Sequence, residues 1–219
     1  MKLFKSTIAV LALASAALFA AAGCAEAATY ARCSSRPAGD WPIEPEAYVK
    51  RNCSFCHGPA VEGRYVAPRL AGQHADYVAT QMLRLRDKTR DNPFSRKHMG
   101  YAAAETLPGN DCEIGHYLAS LPAQPANDGV EALVGQGEEI FKRGIPEDNI
   151  PACQFCHGPQ GQGIGVFPRL SGQSYYYLRR RLGEWVEGYS AVAAHMPAIS
   201  KKLSPEQVDA VTSYLSFQQ

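Results

Sequence analysis

The stretches "CSFCHGP" (residues 53–59) and "CQFCHGP" (residues 153–159) each set two thiols and an imidazole within five residues. Four of the seven cysteines in the 219-residue chain lie in them, so the spacing calls for a chemical reason. Two thiols three residues apart can add to the two vinyl groups at one porphyrin edge, while the histidine that follows reaches the iron. A zinc site and a redox dithiol are the competing readings. Zinc asks for four ligands, and a dithiol needs no adjacent histidine. Two copies of the motif inside a repeat favour two covalently attached haem c groups, held by Cys53, Cys56 and His57 and by Cys153, Cys156 and His157.

The repeat extends well beyond the motifs. At an offset of 100, Gly63, Pro68, Arg69, Leu70, Gly72, Gln73 and Tyr77 all meet identical residues, ending with Gly172, Gln173 and Tyr177. Farther on the offset falls to 97, where His98 and Met99 meet His195 and Met196, and Tyr117 and Leu118 meet Tyr214 and Leu215. The segment "LPAQPANDG" between the copies favours an extended connection. The expected division is 1–27 as an export signal, 28–124 as the first domain and 125–219 as the second. β-Branched alternation is almost absent, and helix-like stretches recur at matching places, so the expected class is all-α. Ser204, Pro205 and Glu206 have the chemistry of a helix start. Each copy is small for an apolar core of its own, which suits a centre filled by a cofactor.

The N-terminus differs from the rest. Lys2 and Lys5 precede an apolar run from Thr7 to Ala22, and Ala25, Glu26 and Ala27 form a small-x-small cleavage site. This predicts export to the periplasm. Cys24 after Ala-Ala-Gly offers lipid anchoring as the alternative to soluble export, although the usual leucine three residues earlier is absent. With 22 basic and 21 acidic residues, the charge balance argues against a nucleic-acid partner. No second apolar stretch is long enough to span a bilayer.

Each haem needs a second axial ligand. Met99 and Met196 occupy equivalent repeat positions, each followed by Gly or Pro that suits a loop crossing the haem face, whereas Met82 has no methionine counterpart and reads as core. His98 and His195 also match and are the rival ligands. A ligating histidine needs its other ring nitrogen held. Pro68 and Pro168, eleven residues after their histidines, offer carbonyls for this, and plain turn prolines are the equal alternative. Cys33 and Cys112 are the cysteines left over in an exported chain and are expected to pair, with free thiols as the other reading.

"CHGPQGQGIGVFPRLSGQSYYYLRRRL" followed by "MPAISKKLSPEQVDAVTSYL" resembles the dihaem cytochromes c4, and the first copy follows the same plan in "APRLAGQHADYVATQM". The resemblance implies two class I cytochrome c domains about an approximate twofold axis, with haem edges facing across the interface. It implies Cys53, Cys56, His57 and Met99 as one haem site and Cys153, Cys156, His157 and Met196 as the other. Class I domains cross their first and last helices at a glycine and an aromatic, roles that fall to Gly137, Phe141 and Tyr214; no glycine stands at the matching place before Tyr48. The implied role is periplasmic transfer of single electrons to redox partner proteins, from a donor such as a quinol-oxidising complex to an acceptor such as a terminal oxidase. The chain is then a carrier and not an enzyme. A dihaem peroxidase, needing an iron with an open position, and a fixed subunit of a larger dehydrogenase or oxidase are the alternatives.

The run Arg84, Arg86, Lys88, Arg90, Arg96 and Lys97 reads as a solvated helix face, with a docking patch for an acidic partner as the alternative. Arg179, Arg180 and Arg181 read as surface charges or as partners of haem propionates.

Overall fold

The computed structural model describes Cys33 and residues 44–106, 109–193 and 195–219. The export signal assigned to residues 1–27, and Cys24 with it, lies outside the described residues. The described residues belong to one compact unit, Arg32–Gln219. They form helices and turns, with no strand among them beyond isolated bridges such as Arg64–Ala67 and its repeat counterpart Ile164–Phe167.

The first copy contributes α1 (Pro45–Asn52), α2 (Ser54–His57), α3 (Ala75–Arg86), α4 (Pro93–Glu105) and α5 (Asp111–Ser120). The second contributes α6 (Val134–Arg143), α7 (Gln154–His157), α8 (Tyr175–Val186), α9 (Met196–Ser200) and α10 (Pro205–Phe217). Their starts are set by local chemistry. Asn92 accepts the Ser95 N–H at the head of α4, Ser174 accepts the Tyr177 N–H at the head of α8, and Ser204 and Gln207 form a reciprocal capping box at α10.

Each copy has its own core. Val49, Val61, Val78, Ile114 and Leu118 pack together in the first, with Met82 against them, as expected for a core methionine. Ile140, Phe141, Leu178, Val211, Tyr214 and Leu215 do so in the second. There α6 crosses α10 at Gly137, where an added Cβ would stand 2.7 Å from the Tyr214 Cβ and would run into the Ala210 carbonyl. The Phe141 and Tyr214 rings meet at 5.5 Å between centroids, so the glycine-and-aromatic crossing is present in the second copy.

Cys33 and Cys112 form a disulfide with Cα atoms 5.2 Å apart, and both are buried. The Cys33 N–H also donates to Asp76 at 2.7 Å, so this residue is fastened to both α5 and α3.

Two expectations are corrected. Met99 lies inside the 13-residue helix α4 and not in a loop, while Met196 opens the short helix α9. Pro93 at the head of α4 with the Asn92 cap, and Ala102, Ala103 and Ala104 after Gly100, supply enough helix-forming chemistry to carry the backbone through. The basic run is not a single solvated face. Arg84 and Arg90 are buried, Arg86 is half-buried, and only Lys88, Arg96 and Lys97 of the six are exposed.

Candidate haem sites

Each attachment motif folds as one tight helical turn. In the first copy the His57 N–H donates to the Cys53 carbonyl at 3.0 Å, which leaves Cys53 half-buried and Cys56 exposed. Gly58 then turns the chain with positive φ, and the Gly63 N–H returns to the His57 carbonyl at 2.7 Å. The second copy repeats the loop: His157 donates to Cys153 at 3.0 Å and Gly163 to His157 at 2.7 Å. At Gly63 and Gly163 φ is +81° and +77°, and an added Cβ would press on the backbone N–H of Arg69 or Arg169.

That close return brings the proline to the histidine. His57 Nδ1 lies 2.8 Å from the Pro68 carbonyl and His157 Nδ1 lies 3.1 Å from that of Pro168. A carbonyl only accepts, so Nδ1 carries the proton and Nε2 is the free base, the form that binds a metal. Both imidazoles are buried, and burial pushes their pKa below the ordinary value; at His57 the charge of Arg90 adds to this, against the Pro68 carbonyl. The turn-proline reading therefore yields to the carbonyl role in both copies.

The thiols carry chemistry of the same sense. Burial pushes Cys53 and Cys153 up to about 11. A redox dithiol relies on a lowered thiol pKa, which neither of these positions has. Among the described residues no group of three or more His, Cys, Asp and Glu converges as a metal cage. The donor set fits haem c: two thiols for the vinyl edge and one neutral, oriented imidazole. Such a group supplies a one-electron iron couple whose potential is set by its axial ligands and surroundings.

Met99 and Met196 are half-buried, whereas His98 and His195 are exposed. The His98 ring lies against Phe94, 4.4 Å between centroids. Arg86 secures the helix that carries Met99: its guanidinium donates to both carboxylate oxygens of Asp111, at 3.0 and 2.8 Å, and to the carbonyls of Ala103 and Thr106 at 3.1 Å each.

The two ligand loops are joined across the repeat. Gln173 accepts the Arg69 N–H at 2.8 Å and donates to the Arg69 carbonyl at 3.0 Å; Gln73 does the same to Arg169 at 2.9 and 3.0 Å. His74 Nε2 meets the Gln162 carbonyl at 2.8 Å, and the Ser174 hydroxyl donates to Tyr65 at 3.1 Å. Residues 132–215 match the family model described as cytochrome C oxidase, cbb3-type, subunit III. The chain is 31% identical over 180 residues to cytochrome c4 of Thiocapsa roseopersicina, covering 80% of this chain and 91% of that one. It is 37% identical over 174 residues to the thiosulfate dehydrogenase electron acceptor of Stutzerimonas stutzeri (strain A1501), covering 75% and 77%. The solved cytochrome c4 of Acidithiobacillus ferrooxidans superposes with a TM-score of 0.71 at 32% identity, covering 76% of this chain and 99% of that one.

The chain belongs to the dihaem cytochrome c4 family. As a cytochrome c4 it has the family's all-helical fold, carries two covalently attached haem c groups and acts as an electron carrier. No helix among its described residues is long and apolar enough to cross a membrane.

The glutamine contacts, the grip of Arg86 on Asp111 and the burial of Arg90 escaped the sequence reading. For the glutamines a signal existed: Arg69 with Gln73 and Arg169 with Gln173 are polar residues kept identical in both copies, outside the attachment motif. Nothing comparable marks Arg86 or Arg90, which are charges within a charged run.

Proposed function

We propose that this cytochrome c4 passes single electrons in the periplasm from a respiratory donor, such as a quinol-oxidising complex, to a terminal oxidase or another acceptor. Two domains, 28–124 and 125–219, each hold one haem. Cys53, Cys56 and His57 attach and ligate the first, with Met99 as its second axial ligand. Cys153, Cys156 and His157 hold the second, with Met196 opposite. The signal-like residues 1–27 support export, and the half-buried methionines beside exposed histidines support thioether ligation.

One observation carries the reading. The loops that orient His57 and His157 are hydrogen-bonded to one another through Gln73 and Gln173, which suits two redox centres working as a pair. An iron that keeps the same two ligands in both oxidation states needs little rearrangement, and the protein supplies spacing, ligation and burial. A second reading has a specific motive: a relative is named a thiosulfate dehydrogenase electron acceptor, so the donor here is a dehydrogenase that oxidises a small sulfur compound.

Carbon monoxide binding to the reduced protein tests carrier against enzyme. With both irons six-coordinate, binding is weak and peroxide turnover does not exceed that of free haem. Rapid stoichiometric binding at one haem, with peroxide consumption that depends on a residue beside it, would overturn the carrier reading. Reduction of the protein by a membrane quinol oxidoreductase or by a thiosulfate-oxidising dehydrogenase, assayed side by side, separates the two donors.

A further inference from the structure

The two histidine-holding loops run "PRLAGQ" (residues 68–73) and "PRLSGQ" (residues 168–173), and they differ only in Ala71 against Ser171. Both of these residues line a small cavity between the copies, together with Gln73, Gln173 and, from the connecting segment, Ala123 and Gln124. Its volume is about 10 Å³, room for a single water molecule. The one place where the repeat breaks within these loops is therefore on the wall of a cavity that both loops share.

The polar groups on that wall are deeply buried: Gln73, Ser171 and Gln173 are 5%, 4% and 6% exposed. The Ser171 Oγ meets no protein partner. A buried hydroxyl left in this state is costly, and in native proteins ordered water commonly satisfies such groups. The glutamines offer further contacts. Each carboxamide nitrogen carries two protons and gives one of them to an arginine carbonyl across the repeat. The carboxamide oxygens are already engaged twice, by the arginine N–H opposite and by the N–H of His74 or Ser174. The open positions are thus two N–H groups and one hydroxyl, a set that a water satisfies because it accepts and donates at once.

We propose that this cavity is the binding site of one ordered water, which accepts from the carboxamide nitrogens of Gln73 and Gln173 and bonds to the Ser171 hydroxyl. The water is then a further link between the two loops, beside the direct glutamine contacts, and does not depend on which proteins exchange electrons with the haems. The break in the repeat has its reason here. One hydroxyl is enough to fix the water, and the small side chain of Ala71 leaves the room in which it sits. A halide ion is the rival occupant, since Arg169 also lines the cavity and its Nε is buried without a protein acceptor. Size decides for water, because a halide is wider than the cavity allows.

The test pairs a crystal structure of the holoprotein, at a resolution that shows ordered water, with hydrogen exchange at the backbone amides of Arg69 and Arg169. The parent should show one water within hydrogen-bond distance of the Ser171 Oγ and of both carboxamide nitrogens. Ser171→Ala should lose it, and the two amides should then exchange roughly fivefold faster, the consequence of losing about one net hydrogen bond. Ala71→Val, which fills the room from the opposite wall, should expel the water and speed the same amides. A parent cavity that is dry, or filled by a side chain or by a carboxylate of the bound cofactor, would overturn the proposal. So would an anomalous peak in the cavity after a bromide soak, which would assign it to a halide. Exchange unchanged in both variants would remove the linking role. The parent structure decides occupancy even where a variant fails to fold.

Discussion

Gln73 and Gln173 grip each other's copy with the same atoms. Each carboxamide oxygen takes the N–H, and each nitrogen gives to the carbonyl, of the arginine that follows the histidine-holding proline in the opposite copy, at 2.8 to 3.0 Å. The oxygens do more, since they also accept the N–H of His74 and of Ser174 at 3.0 Å. Because the arginines adjoin Pro68 and Pro168, whatever loosens this contact also loosens the carbonyls that orient His57 and His157.

Replacing Gln173 with alanine should therefore destabilise the protein by roughly 1–3 kcal/mol, the usual consequence of leaving half-buried backbone groups unpaired. Gln73→Ala should do the same, and the double variant should lose less than the sum because the two act on one interface. Chemical denaturation measures the loss. Electron exchange between the haems, followed after rapid partial reduction, should slow in the double variant; an unchanged rate would mean that the glutamines serve stability alone.

With Met196 and Met99 as the proposed axial ligands, each oxidised haem should show the weak far-red absorption of an iron–thioether bond; Met196→Ala should remove it from the second haem and lower that potential, and Met99→Ala should act likewise on the first. His98→Ala should leave both haem spectra as they are, because His98 is exposed and turned against Phe94. Met82→Ala should affect stability only, by about 2–3 kcal/mol, as for other truncations at partly buried core positions. A first haem whose spectrum follows His98 and ignores Met99 would replace the ligand assignment there.

The second copy also offers a matched pair of glycines. Gly137→Ala drives a Cβ into the Ala210 backbone, which a rigid helix crossing cannot yield cheaply, so the second domain should lose several kcal/mol. Gly135→Ala, two residues earlier in α6, meets nothing within 4 Å and should be neutral or stabilise by up to ~1 kcal/mol. Thermal unfolding watched at the Met196 far-red band distinguishes the two.

These cases mark how far the sequence was legible. The attachment motifs could be read because ligand spacing is a short-range rule; the prolines offered fixed carbonyls with a plain turn as the equal alternative, and Gly137 followed only from what the class I resemblance implies. Gly100 after Met99 points to a loop, but a single glycine costs a helix little when Asn92 caps its start and alanines follow. The charged run from Arg84 to Lys97 misled for a different reason. Whether an arginine faces water depends on what lies opposite, and here the partners are Asp111, 25 residues on, and Tyr177 in the other copy. No local pattern encodes a partner at such distance.

The correction at that run leads to the last prediction. If Arg86 were a solvated charge, Arg86→Ala would change stability little. It is instead a junction: one guanidinium pairs with both oxygens of Asp111, which is 4% exposed, and ties the carbonyls of Ala103 and Thr106 at the end of α4. Removing it takes one cation from a buried carboxylate and frees the end of the helix that carries Met99, so the expected cost is about 2–3 kcal/mol. Arg86→Lys should not restore it, because an ammonium cannot span two carboxylate oxygens and two carbonyls together. The spectroscopic effect should be local, with the far-red band of the first haem lost at lower temperature or denaturant than that of the second. Loss of both bands together would mean that Arg86 supports the whole compact unit and not the distal side of the first haem. The exposed Lys88, Arg96 and Lys97 offer the contrast: their removal should leave both bands and the stability unchanged, and should act only on the salt dependence of electron transfer to an acidic partner.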